Sequence, residues 1–247
     1  MSNAQNGSAE AYRGDARQAF RRLCRLMAGE LRFLAKYGIL PLYLLLTVLY
    51  LALLAAVPAQ ARADTAAIVI LTDPAAMGLF FMGAMVMLEK SQRVHQALAV
   101  SPVRVWEYIA AKAAALMAVG LGVGLAIAAF TGLPLLGVAL AMLLGSVLFS
   151  LLGMVVAVRS VSLNQFLILS VPFELLTFTP ALLYWFRALS GPLWLAHPGV
   201  AAMALFAPDA SLWPWAVLSL AAWDGLAMLW ASRAVKRYFC GFGGDTL

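Results

Sequence analysis

Two carboxylates stand where a carboxylate is expensive. Glu174 lies in the middle of the apolar run 163–186, between Pro172 and Pro180, and Asp224 lies near the middle of the apolar run 213–232. An ionised acid at the centre of a bilayer costs at least ~2.5–3.5 kcal/mol, so such a group faces a protein interior or a watery path, or is protonated. For each residue two readings stand side by side: a lining group of a path or cationic-ligand pocket, or a buried hydrogen-bonded carboxyl that locks helices together. The prolines flanking Glu174 free backbone carbonyls around it and favour a locally opened helix. Asp73, in Asp73-Pro74, is a third acidic candidate for the same path.

Little else in the chain is equipped for catalysis or metal binding. His95 and His197 are far apart, Cys24 and Cys240 have no ligand-like neighbours, and no Ser/His pair falls on adjacent apolar runs. No G-x-x-x-x-G-K-[ST] occurs, so no P-loop binds nucleotide here. The expectation is a non-enzyme with no catalytic residue, no metal site and no cofactor of its own.

The elements that must position these acids follow from composition. Apolar side chains make up 64% of the 247 residues and charged ones only 11%. A soluble domain is roughly 45–50% apolar and about 25% charged, so this chain cannot cover a water-facing surface. That excludes a soluble enzyme, a disordered chain and a nucleic-acid-binding domain, despite the formal charge of +6. Only helices or closed barrels satisfy their backbone in lipid, and a helix needs roughly 20 apolar residues to cross. Six runs qualify: 37–57, 68–88, 108–132, 135–158, 163–186 and 213–232. No recurring strand-like alternation points to a barrel. The fold class is therefore all-α, a polytopic membrane protein with six transmembrane helices. Small residues at fourfold spacing (Gly120 and Gly124, then Gly137, Ala141 and Gly145) suit close helix packing in the third and fourth runs.

Orientation follows from the basic residues. With the N-terminus inside, all of the 17 Lys and Arg except Arg62 and Arg187 fall on the cytoplasmic side. Both termini are then cytoplasmic and the number of crossings is even. Both cysteines face a reducing compartment, so no disulfide is expected. The first thirty residues lack the continuous apolar core of a cleavable signal peptide.

Between these runs lie four other pieces. Residues 1–9 are small and polar and read as a disordered tail. Residues 10–36 read as an interfacial amphipathic helix, with Phe20, Leu23, Met27, Leu31 and Leu34 in one sector and Arg17, Arg21, Arg22, Arg25, Arg32 and Lys36 opposite. Residues 193–206, bounded by prolines, are too short to cross and read as re-entrant or interfacial, with His197 structural. Residues 238–247 form a cytoplasmic tail. Trp185, Trp194, Trp213, Trp215 and Trp223 gather toward the outer half, as interfacial anchors do.

The segment 89–108, EKSQRVHQALAVSPVRVWEY, is too polar for lipid and too regular for a loose loop. Its spacing predicts a helix over 89–100, a break at Ser101-Pro102, and a new helix from near Val103 into the third span. A short rod of mixed charge facing the cytosol suits protein docking better than lipid binding.

That segment resembles the first cytoplasmic loop of ABC-2 type transporter permeases. The shared features are an acidic-basic pair closing the second span (Glu89-Lys90), a Leu-x-x-Ser-Pro-Val stretch (Leu98, Ser101, Pro102, Val103), and an acid-Tyr pair opening the third (Glu107-Tyr108). Drug-export permeases of the fluoroquinolone exporter type also share Asp-Pro at the second span. Where the family often has Gly-Thr-Leu-Glu, this chain has Arg93-Val94-His95-Gln96.

The resemblance implies the membrane subunit of an ATP-driven exporter of an amphiphilic drug in a bacterial inner membrane, and with it antibiotic resistance. A separate ABC ATPase subunit would hydrolyse ATP with Mg²⁺ and dock on the coupling loop 89–107 through Glu89, Lys90, Arg93, Gln96, Leu98, Ser101, Pro102, Val103 and Glu107. A second permease subunit, identical or not, and membrane lipid would be its other partners. The alternative from another class is an ion- or proton-coupled transporter or channel using Glu174 and Asp224, against which stands the lack of a repeated half or paired broken helices. An intramembrane enzyme is the third, for which the residues offer no constellation.

Overall fold

The computed structural model describes residues 2–94 and 103–240, with side chains from Gln18 onward except those of Asp73, Pro74 and Cys240. Among them there are helices and no strands. The helices are α1 (Ser2–Lys36), α2 (Ile39–Ala56), α3 (Ala59–Ile70), α4 (Met77–Ser91), α5 (Val105–Thr131), α6 (Leu135–Arg159), α7 (Leu163–Trp185), α8 (Pro198–Ala204) and α9 (Trp213–Cys240). By length and apolarity α2, α5, α6 and α7 can each cross a membrane, and so can the stretch Ala210–Phe239 containing α9, which makes five. The molecule is an all-α polytopic membrane protein.

The expected second span, 68–88, is not one helix. The chain runs through α3, a wide π turn at Leu71–Ala75, and α4. Pro74 carries no N–H to complete an i→i−4 ladder, so the helix absorbs the defect as a wider turn. Thr72 Oγ1 donates to the Ile68 carbonyl at 2.8 Å beside it. Asp73 sits in this turn.

Two further expectations change. Helix α1 begins at Ser2, so residues 2–9 are helical rather than a structureless tail, continuous with the helix-forming stretch that follows them. The single rod expected over 89–100 does not form from Glu89. Instead α4 continues to Ser91, and Arg93 then turns the chain with φ +56°. Glu89 and Lys90 thus belong to the end of α4.

The core is built on α4, α5 and α6, with α9 and α7 packed outside. Gly83 of α4 faces the ring of Phe166 of α7, which is fully buried; any Cβ at Gly83 would fall inside that ring. Gly137 of α6 similarly lets the carbonyl of Leu205 approach its backbone, and Gly124 of α5 meets Met142 of α6. The small-residue stripe therefore serves packing within the chain at these positions. In contrast α2 turns Leu44, Leu45, Val48 and Leu49 outward, as a lipid-facing helix does.

Residues 193–206 enter the bundle as a 3₁₀ turn (Pro192–Ala196) followed by α8, whose residues from Gly199 to Ala204 are all buried. The segment is clamped on both sides. Pro180 leaves the Leu176 carbonyl of α7 without its helical donor, and the His197 ring lies beside it. From α9, Trp223 Nε1 donates to the Ala196 carbonyl at 2.8 Å.

Candidate functional site

One lysine inside an apolar helix organises one end of the bundle. Lys112, on α5, is completely buried. Its ammonium lies 2.9 Å from both carboxylate oxygens of Glu30 on α1 and hydrogen-bonds to Glu89 Oε1 on α4. Tyr108, one turn earlier on α5, donates its hydroxyl to the other oxygen, Glu89 Oε2, at 2.6 Å. The rings of Tyr108 and Phe33 stand 5.0 Å and 5.9 Å from the ammonium and complete its shell. A lone cation in this setting would be prohibitive; paired and hydrogen-bonded, it ties three helices together.

A second pair lies beside it. Glu107 is the third residue of α5 and closes its first turn by accepting the Arg104 N–H at Oε2, 3.1 Å. Its Oε1 accepts from Arg22 Nη2 of α1, also at 3.1 Å. Lys90 on α4 points the other way. Its ammonium donates to the carbonyls of Ala157, Val158 and Ser160 at 2.9, 3.0 and 2.9 Å, which gather at the C-terminal end of α6, where the helix dipole favours a cation. It also stands 4.7 Å from the Tyr238 ring of α9. Gln92 Nε2 donates to Tyr37 Oη at 2.9 Å. The ends of α1, α4, α5, α6 and α9 at this pole are thereby linked to one another.

The sector of α1 expected to face lipid largely packs on protein over its second half. Leu34 is fully buried, and Met27 and Leu31 lie against the core. Phe20 is 67% exposed, Leu23 is half-buried, and Arg21 and Arg25 are exposed; the Arg17 side chain lies outside the described residues. Burial holds the Glu30 carboxyl above its ordinary range, with Lys112 opposing that and the Glu89 charge adding to it.

Of the residues expected to form a coupling loop, Glu89 and Glu107 are buried and Lys90 is half-buried, and all three are held by contacts within the bundle. Arg93 is exposed and Val103 is half-buried just before α5. Gln96, Leu98, Ser101 and Pro102 lie outside the described residues. Sequence reasoning missed Lys112, Glu30, Tyr108 and Arg22 as members of a site. The signal was there: a single lysine one turn after Tyr108 in an otherwise apolar helix demands an acidic partner.

Glu174 and Asp224 are not part of this cluster. Each falls on the inward stripe of its helix, Glu174 with Ser170 and Thr177, Asp224 with Leu220 and Ala227, and each keeps one buried oxygen with no partner among the described residues.

The sequence profile of the fluoroquinolones export permease protein family matches residues 21–240. The chain belongs to that family. Two relatives named fluoroquinolones export permease protein, from Mycobacterium tuberculosis strains CDC 1551 / Oshkosh and H37Rv, are each 31% identical to it over 140 residues, 55% of this chain. The match covers 59% of each relative's length. The permease's Lys112 cluster and its helices from α2 through α8 all lie within the matched profile.

Proposed function

We propose that this permease is the membrane-spanning subunit of an ABC-2 type exporter in a bacterial cytoplasmic membrane. It carries an amphiphilic drug-like molecule outward, is energised by a separate ATPase subunit, and works as a pair of permease subunits. The observation that carries the reading is the Lys112 clasp. α4 ends and α5 begins beside it, at the two ends of the segment 92–104, and α1, α4 and α5 are tied there by buried ion pairs while Lys90 fastens α4 to α6. A push on that segment therefore moves four helices as one body instead of being lost in loop motion. The end that holds the clasp also holds Arg104, Arg159, Arg233, Lys236 and Arg237, which supports its placement at the cytoplasmic face. With α3 and α4 acting together as a bent sixth crossing, both termini share that face.

The test is quinolone accumulation in cells expressing the permease, its cognate ATPase, or both. Lowered accumulation only with both, abolished by a Walker-lysine variant of the ATPase and by Leu98→Asp in the permease, is the expected result. Export that persists without the ATPase and collapses with the proton gradient would replace this reading with ion-coupled transport through Glu174 and Asp224.

A further inference from the structure

At the pole opposite Lys112 the bundle opens into a cavity of about 610 Å³, within the size range of small-molecule sites. Its lining combines three kinds of group. Tyr184, Trp185 and Phe186 supply a run of aromatic rings at the end of α7; Arg187 supplies a cation and Asp64 of α3 an anion. Among the described residues neither charged side chain has an ion-pair or hydrogen-bond partner, although both line the same space. Tyr184 and Trp185 are half-buried against the core.

The backbone at Arg187 adds an independent observation. Helix α7 ends in a paired-bond cap: the Ala188 N–H donates to the Leu183 carbonyl at 2.8 Å and the Arg187 N–H to the Tyr184 carbonyl at 3.0 Å. The residue at the centre of such a cap has positive φ and is usually glycine. Here it is arginine, with φ +60°. A side chain retained in a conformation it disfavours marks a position where that side chain has a use. Arg62 and Arg187 are also the two basic residues assigned to this side, so Arg187 is not there to set topology.

We propose that this cavity is a binding site for the exported molecule at the outer end of its path, and that it selects flat aromatic zwitterions. The aromatic run stacks on the ring system, Arg187 takes the anionic group and Asp64 takes the cationic group. Opposite charges held apart, each unpaired, fit a ligand carrying both and leave one group unmatched by a ligand carrying one. The site deepens the export reading and rests on it for its placement outside.

Binding can be measured without any ATPase, by equilibrium dialysis of the purified permease in lipid nanodiscs. The probe is ciprofloxacin, a flat zwitterion, beside its methyl ester (cation only) and its N-acetyl derivative (anion only). Arg187→Gln is expected to weaken ciprofloxacin and the N-acetyl derivative about fivefold and leave the ester unchanged; Asp64→Asn is expected to weaken ciprofloxacin and the ester about as much and leave the N-acetyl derivative unchanged. Arg187→Gly relieves the positive φ, so its loss of binding cannot be a folding defect. Equal binding of all three probes by wild type and every variant overturns the site, as does a uniform loss of all three in Arg187→Gly. If the charge rules hold yet no ATPase supports export, the transport reading falls and the site stands.

Discussion

Lys112 and Glu30 meet across the boundary between α5 and α1, with the ammonium 2.9 Å from both carboxylate oxygens. The contact joins a helix buried in the bundle to one that runs along its edge. Because Glu89 takes the same ammonium from α4, a single positive charge answers two carboxylates, and its removal leaves both without a counter-charge, Glu89 keeping only the Tyr108 hydroxyl.

Replacing Lys112 with Met should therefore destabilise the permease by about 3–5 kcal/mol, the cost of stranding buried charge. Thermal unfolding of the purified protein in detergent reads the loss. Adding Glu89→Gln and Glu30→Gln to Lys112→Met should restore part of it, because the stranded charges are then gone. If the triple variant were as unstable as Lys112→Met alone, the lysine would be acting by packing rather than charge.

Glu30 gives the pH dependence. Its carboxyl titrates above the ordinary glutamate range because it is buried, so the folded state holds a proton that the unfolded state has already released. The corresponding stability is present at low pH and is lost as pH rises through the elevated value. Melting temperature followed from about pH 4.5 to about pH 7 should fall more steeply in wild type than in Glu30→Gln, where this titration is absent. Parallel profiles would place the titration elsewhere.

Lys90 donates to three carbonyls at the end of α6, where the helix runs out of N–H donors. Lys90→Met keeps the length of the side chain and removes the donors, at a cost of about 1–2 kcal/mol. Hydrogen exchange should speed up over the last turn of α6 and leave the middle of that helix unchanged.

Gly83 and Phe166 form a steric pair. Gly83→Ala forces the Phe166 ring from its place and should cost about 1–3 kcal/mol by overpacking. Phe166→Leu in the same chain should recover part of that, since the smaller side chain leaves room. No recovery would mean that α7 seats on α4 through other contacts.

Much was legible before any coordinates. Uncharged runs of bilayer length gave the all-helical class and the limits of α2, α5, α6 and α7 to within a few residues, because a membrane imposes length and apolarity on each helix separately, whereas α9 starts where expected but runs on past 232 to Cys240. The short proline-bounded segment that became α8 was visible for the same reason. The motif beginning at Glu89-Lys90 also marked the right neighbourhood, and the family profile covers it.

The roles within that neighbourhood were not legible. Read along the chain, Glu89 and Lys90 look like the polar start of a cytoplasmic rod, and Lys112 looks like one more charge setting topology. Folding reverses both readings, since Glu30 and Lys112 are 82 residues apart in sequence and meet only when α1 lies on α5. Local pattern fixes which segments leave water, through the hydrophobic effect and the need to satisfy each helix's backbone. Which buried charge finds which partner depends on how the helices pack, and that information belongs to pairs of distant residues.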